Sequence, residues 1–255
     1  LAGWPYTKPL DDPLLDYWQT RDDFQPDNLW IAYRGGDARA VLHGEISPHR
    51  CTAHLLAARR GAVPEARGLL ERFEAKVRAL GRTDVLYGPH WMSGVFYGGY
   101  ILGCEQSIPS WDDDGTCAFV EAGYRMELRG VIMVCPLDSV IRLDPAPPGY
   151  EIVSVPVGAE FDAIPFGYHA TFNGQKAAHC YARFYPHLAA PSGGPIGQVG
   201  NVTTEEAHRG KGLARVMAKM CLRDLQHMGA VEALIDTSLD NFPALKSYEN
   251  AGFRR

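Results

Sequence analysis

The chain has 255 residues, 46% of them hydrophobic and 22% charged, with a formal net charge of −5. That length suits one large or two modest domains with apolar cores, and the composition excludes a disordered chain. The mild acidity gives no bulk electrostatic footprint for nucleic acid but suits a cationic amine, and no apolar run approaches the roughly 18 residues of a membrane span.

Residues 1–28 are rich in Pro, Asp and aromatics (Trp4, Tyr6, Tyr17, Trp18, Phe24), with one short helix-like patch near Leu14 to Trp18, and read as an arm or lid. Leu29 to Tyr33 and Ala40 to Ile46 read as strands turned by Arg34, Gly35, Gly36 and Asp37, and Cys51 to Ala57 as a third strand. A basic turn from Arg59 to Pro64 leads into Glu65 to Leu80, where Leu69, Leu70, Phe73, Val77 and Leu80 mark a helix stopped at Gly81. Asp84 to Tyr87 resumes as a strand. Tyr97 to Gly103, Ala118 to Tyr124 and Met126 to Met133 complete this half, and the acidic turn Asp112 to Gly115 reads as solvated rather than metal-binding.

Asp144 to Gly149, stiffened by three prolines, is the clearest linker. Tyr150 to Val155 then opens as a strand, Ala159 to Phe172 reads as a helix, and Asn173-Gly174 turns into a strand over Lys176 to Tyr185. His187 to Gly194 reads as a loose loop, Gly197 to Thr204 as a strand, and Ala233 to Thr237 as a further short strand. This order is that of a mixed α/β unit around a central sheet. The six cysteines (Cys51, Cys104, Cys117, Cys135, Cys180, Cys221) form no C-x-x-C pair and no finger-like spacing with histidine, so neither a disulfide framework nor a zinc site is expected. No basic-then-apolar leader is present, although the chain begins at Leu1 and a removed leader would leave no trace; the reading is cytoplasmic.

The stretch after Thr204 carries the chemistry. Arg209, Gly210, Lys211 and Gly212 place two glycines and two cations before Leu213, Val216, Met217, Met220, Leu222 and Leu225, which recur at helical spacing. A helix start leaves about four N–H groups without intrahelical partners and carries partial positive charge. Glycine clears the approach, and Arg209, Lys211 and Arg215 add mobile charge, which suits a diphosphate. A dinucleotide fingerprint fails because Arg215 stands at its third glycine, and a nucleotide-triphosphate loop fails because Gly212 follows Lys211.

The pattern present is R-x-x-G-x-A, Arg209 to Ala214. It resembles the pyrophosphate loop [QR]-x-x-G-x-[GA] of the GNAT superfamily of acyl-CoA-dependent N-acyltransferases. Downstream, Asn241, Ala244, Tyr248, Gly252 and Phe253 stand in the order N-x-x-A-x-x-x-Y-x-x-x-G-F, and Gly123-Tyr124 ends the first half as Gly252-Phe253 ends the second.

The resemblance implies an α/β fold with a mixed sheet, arranged as two tandem GNAT-like domains in a mycothiol-synthase-like organisation. Residues 1–145 would be a degenerate domain with an N-terminal arm, since Arg59 to Pro64 lacks the loop spacing and Pro64 lacks an N–H. Residues 146–255 would be the catalytic domain, with its final strands apparently absent: either a tail lies beyond Arg255, or the other half or a partner completes the sheet.

By the same resemblance acetyl-CoA is the co-substrate, with no metal. Val202, Thr203 and Thr204 would pair with the pantetheine arm. Arg209, Gly210, Lys211, Gly212, Leu213, Ala214 and Arg215 would hold the diphosphate, and Asn241 would anchor the cofactor or orient its helix. The Val202 N–H would polarise the thioester carbonyl. Tyr248 is the candidate proton donor, against the ordinary reading of a half-buried helix tyrosine.

Asp236 is the candidate base, against an equal claim as a strand-end cap. Glu205 and Glu206 suit cap or dipole roles equally well, and His169 and His179 read as structural. The implied activity is acetyl transfer to a primary amine of a small molecule by direct attack in a ternary complex. A non-catalytic acyl-CoA-binding module and a peptide N-terminal acetyltransferase are the alternatives. No nucleic-acid or membrane partner is implied, and a homodimer is left open.

Overall fold

Alternating side chains around the tight Gly35-Gly36 turn, with φ of 61° and 90°, fold residues 29–46 into a hairpin. Its strands are β1 (Leu29–Arg34) and β2 (Asp37–Ile46), and β3 (Cys51–Ala58) pairs antiparallel with β2. The computed structural model describes residues 16, 19, 20, 24–49, 51–87, 113–125, 130–158 and 163–255. The expected strand over 97–103, most of the arm, and Asp112 lie outside them. The chain divides into two compact units, Leu1–Leu128 and Arg129–Arg255.

In the first unit, α1 (Val63–Ala79) carries the chain over to β4 (Leu86–Tyr87), which lies parallel to β3. Ala66, Leu69, Leu70, Phe73 and Val77 share one face of α1, at the spacing an amphipathic helix requires, and bury against Leu42, Ala53 and Leu56. The acidic run is no free turn, because α2 (Asp113–Glu121) starts there and seats Ala118 and Phe119 in the same core. Asp114 Oδ2 accepts the Gly61 N–H at 2.8 Å.

The second unit holds a six-stranded sheet in the order β5-β10-β9-β8-β7-β6. The strands are β5 (Gly130–Pro136), β6 (Tyr150–Val155), β7 (Ile164–Phe172), β8 (Gln175–Ala189), β9 (Pro195–Thr204) and β10 (Glu232–Ser238). Two sequence expectations change here. By chain order Met126 to Met133 belongs with the first half, yet β5 pairs with β10 along its whole length, from Gly130↔Ser238 to Pro136↔Glu232. The sheet position beyond β10 is therefore taken by a strand that precedes the Pro-rich linker. The expected helix over 159–172 is β7 from Ile164 onward, paired on both sides. Ile164, Tyr168 and Phe172 mimic helical spacing, but Tyr168 and Ala170 alternate into the core at the period of a strand. The loop expected from His187 is also shorter, since β8 runs on to Ala189.

Both helices of this unit share one core. α3 (Leu213–His227) sends Met217, Cys221, Leu222 and Leu225 against Ala178, Cys180, Ala182 and Val199, and α4 (Phe242–Ala251) adds Leu245, Tyr248 and Ala251. Gly197 permits the close approach of α3, because a Cβ there would lie 2.5 Å from Leu225 Cδ1. No helix among the described residues is long and apolar enough to cross a membrane.

Candidate active site

β9 and β10 part company halfway. Their parallel pairing covers only Ile196↔Glu232, Gly197↔Ala233 and Gln198↔Leu234. Beyond that point β10 continues with β5 to Ser238, while β9 continues with β8 to Thr204. The result is a wedge whose β9 wall, residues 199–204, has one backbone edge unpaired by β10. Such an edge can accept an extended ligand as an added strand. The wall is also kinked: between Tyr181↔Gly200 and His179↔Thr203, β9 advances one residue more than β8, and Asn201 takes φ 48°. This is a β-bulge, which re-aims the N–H groups of Asn201 and Val202.

The wedge leads to the loop read from the sequence. After a short turn at Glu206–His208, Gly210 and Gly212 both adopt left-handed φ, 73° and 82°, and Gly212 caps α3 with no side-chain cap bond. Val216 is the first described helix N–H to reach back, to the Gly212 carbonyl at 3.1 Å, so the N–H groups of Leu213, Ala214 and Arg215 face outward. The first turn carries no acidic residue. Arg209 Nε donates to the Thr204 carbonyl at 3.3 Å and ties the loop back to the strand. Lys211 is exposed. Arg215 differs from the sequence expectation in its partner: its Nε lies 3.1 Å from Asp144 Oδ2, which Lys219 Nζ shares at 3.1 Å. One carboxylate faces two cations, so net positive charge remains near the helix start.

The other side of the wedge is backed by α4. Asn241 caps this helix, its Oδ1 accepting the Ala244 N–H at 3.3 Å. Gly252, φ 118°, ends the helix with bonds back to Tyr248 and Glu249. Tyr248 is 5% exposed, and its ring lies 6.2 Å from that of Phe253. Burial holds the Tyr248 phenol well above its ordinary pKa, and the charges of Cys180 and Asp236 push the same way. The phenol therefore keeps its proton at neutral pH. Alternation along β10 places Ala233 and Ile235 in the core with α3 and α4, and hence Leu234 and Asp236 on the opposite face.

Some neighbours of the wedge had no distinctive sequence signal. His179 Nε2 donates to Asn201 Oδ1 at 3.2 Å, and His169 Nε2 is hydrogen-bonded to the Tyr181 hydroxyl at 2.9 Å. Burial lowers the pKa of both imidazoles, which keeps them neutral. The His179 bond reaches the bulge residue itself. Cys180 and Cys221 meet in the core with sulfurs 3.7 Å apart. Tyr150 is hydrogen-bonded to His208 Nδ1 at 2.8 Å, which pins the phosphate-type loop to β6. No group of three or more His, Cys, Asp or Glu side chains that could hold a metal occurs among the described residues.

Comparison with known proteins agrees with this geometry. By structure, the chain is similar to a tandem GNAT protein from the clavulanic acid biosynthesis pathway, with a TM-score of 0.67 at 15% identity, covering 99% of this chain and 87% of that one. It is also similar to a GCN5-related N-acetyltransferase from Sphaerobacter thermophilus, with a TM-score of 0.62 at 14% identity, covering 94% and 81% of the two chains. By sequence, it is 33% identical over 92 residues to a mycothiol acetyltransferase from Catenulispora acidiphila; the match spans 36% of this chain and 29% of that relative. The model of the acetyltransferase (GNAT) family matches residues 86–253, about two thirds of the chain, and the chain therefore belongs to the GNAT acetyltransferase family.

Proposed function

We propose that the protein is an N-acetyltransferase that moves the acetyl group of acetyl-CoA to a primary amine of a small molecule, by direct attack in a ternary complex. The observation that carries this reading is the wedge: a strand edge at residues 199–204 that β10 leaves unpaired runs into a helix start capped by Gly212 with no side-chain cap bond. The residues present suit acyl-CoA. Backbone groups of Val202, Thr203 and Thr204 pair with the pantetheine arm. The N–H groups of Leu213, Ala214 and Arg215, with Arg209 and Lys211, receive the diphosphate. Gly210 and Gly212 supply the left-handed turns that aim them.

The chemistry follows from the same placement. The Val202 N–H, fixed by the bulge, donates to the thioester oxygen as negative charge gathers there. The amine nitrogen forms the new C–N bond, and the C–S bond breaks. The Tyr248 hydroxyl neutralises the departing sulfur, whose conjugate acid has a pKa of about 8.5. Asp236, on the face away from α3 and α4, takes the proton that the amine gives up; it then releases that proton to solvent and the Tyr248 phenolate takes one up from solvent, which resets both groups. The name of the sequence relative supports a small-molecule acceptor.

In this reading the first unit holds no second co-substrate. Its corresponding helix start, at α1, is met by Asp114, which already accepts the Gly61 N–H, and Pro64 removes another donor.

The test is Tyr248→Phe, assayed with saturating acetyl-CoA against a panel of amines. General-acid loss costs about 10²- to 10⁴-fold in turnover. Undiminished turnover removes Tyr248 as the acid, and no transfer by the intact protein to any amine favours an acyl-CoA-binding module instead.

A further inference from the structure

Among the described residues, two take positive φ without being glycine: Asn173 in the turn between β7 and β8, and Asn201 inside β9. A turn explains the first. A left-handed residue within a strand needs another cause, because a Cβ at φ 48° crowds the backbone and Asn only tolerates it better than most.

The cause lies on the sheet face away from α3. Ala178, Cys180 and Ala182 point into the core, so alternation along β8 puts His179 and Tyr181 on the other face. There His179 Nε2 donates to Asn201 Oδ1 at 3.2 Å, within a ladder that pairs His179 with Thr203 but Tyr181 with Gly200. The imidazole thus holds the bulge by a side chain. Among the described residues its buried Nδ1 finds no hydrogen-bond partner, so the bond to Asn201 is the one the ring makes. A neutral imidazole carries one N–H, and an oxygen acceptor at Asn201 puts that proton on Nε2.

His179 is itself held in place. Its ring lies 5.1 Å from that of Tyr181 at an interplanar angle of 31°. Tyr181 lies across Gly167 of β7, where a Cβ would collide with the phenol ring. The Tyr181 hydroxyl is bonded to His169 Nε2 at 2.9 Å. This path, from Gly167 through Tyr181 and His179, ends at Asn201. The N–H of Val202 belongs to the peptide unit that follows Asn201, so the backbone angles at Asn201 set the direction of that N–H.

We propose that His179 is a positioning residue for acetyl transfer: acting through Asn201 rather than on acetyl-CoA itself, it aims the Val202 N–H at the thioester oxygen. The proposal rests on the acyl-CoA reading above and adds what holds its oxyanion donor in place.

Isotope-edited infrared spectroscopy of acetyl-CoA, labelled with carbon-13 at the thioester carbonyl and bound to the full chain, reads that aim. In the unaltered chain the carbonyl band should lie below that of free acetyl-CoA, because an aimed N–H draws charge onto the oxygen and weakens the C=O bond. His179→Ala should move the band back toward the free position, with the calorimetric affinity for CoA unchanged. His179→Gln, whose amide Nε2 can also donate to Asn201, should restore the band. Asn201→Gly keeps the left-handed turn accessible but removes the side chain, and His179→Ala added to it should shift the band no further. An unmoved band in His179→Ala, a loss of CoA affinity there such as a merely structural histidine would show, or a further shift in the double variant overturns the proposal. If the unaltered chain binds CoA and acetyl-CoA yet leaves the band at its free position, the positioning role falls while the acyl-CoA reading stands. Binding of neither by the unaltered chain overturns both.

Discussion

Gly212 offers the sharpest perturbation of the proposed phosphate cradle. It caps α3 with φ 82° and ψ 8°, and a Cβ built on it meets nothing within 4 Å. Alanine there is therefore penalised by backbone conformation alone, at about 1–2 kcal/mol for a left-handed L-residue. If the outward N–H groups of Leu213, Ala214 and Arg215 bind the diphosphate only in this conformation, that penalty appears as acyl-CoA binding weakened about 5- to 30-fold.

Gly229 is the matched control. It lies past the other end of the same helix, with φ 96° and again nothing within 4 Å of a Cβ. Gly229→Ala should lose comparable stability in urea denaturation yet bind acyl-CoA as the unaltered chain does. Calorimetry on the two variants reads the difference. Unchanged affinity in Gly212→Ala, or an equal loss in Gly229→Ala, refutes the reasoning.

Two further outcomes are expected. Gly197→Ala places a Cβ 2.5 and 2.6 Å from the two methyls of Leu225, which is fully buried, and overpacking of this kind costs about 1–3 kcal/mol; an unshifted urea midpoint contradicts the close packing of α3 on β9. Because burial raises the folded pKa of Tyr248, its contribution to stability is full below the unfolded value of about 10 and is lost as pH rises from there toward the folded value. Unfolding free energy should then decline above about pH 10 by roughly 1.4 kcal/mol per pH unit from this group. Tyr248→Phe should flatten that decline, and identical alkaline profiles for the two proteins count against the burial argument.

What could be read from the chain was local. The basic glycine loop, α3 and the α4 cap at Asn241 follow from short-range rules: left-handed turns need Gly210 and Gly212, and an N-cap wants an Asn. What escaped was set by distant partners. β5 could have joined either half on pattern alone, and its place depends on β10, about a hundred residues later in the chain. Ile164, Tyr168 and Phe172 fit a helix and a strand equally, and pairing with β6 and β8 decided the matter. Asp144 lies in the Pro-rich linker, where nothing in composition marks it as the partner of Arg215 and Lys219. The bulge at Asn201 had only a Gly-Asn pair as its trace.

The two helix starts explain why one chain would carry one cradle. In each unit a strand feeds a glycine turn and then a helix, so the backbone offers the same partial positive charge twice. At α1 that charge is compensated from within: Glu65 stands in the first turn, Lys76 and Arg78 in the last, and Asp114 takes the Gly61 N–H. This is the arrangement that stabilises a helix on its own. At α3 the order is inverted, with no acid in the first turn and Arg215 there instead, an arrangement that costs an isolated helix about 0.3–1 kcal/mol. Asp144 offsets part of that charge, but Lys219 competes for the same carboxylate oxygen. A helix that keeps cations and open N–H groups at its positive end gains most when an anion arrives, and in the proposed reading the edge at residues 199–204 that β10 leaves unpaired would bring the diphosphate of an acyl-CoA to that end.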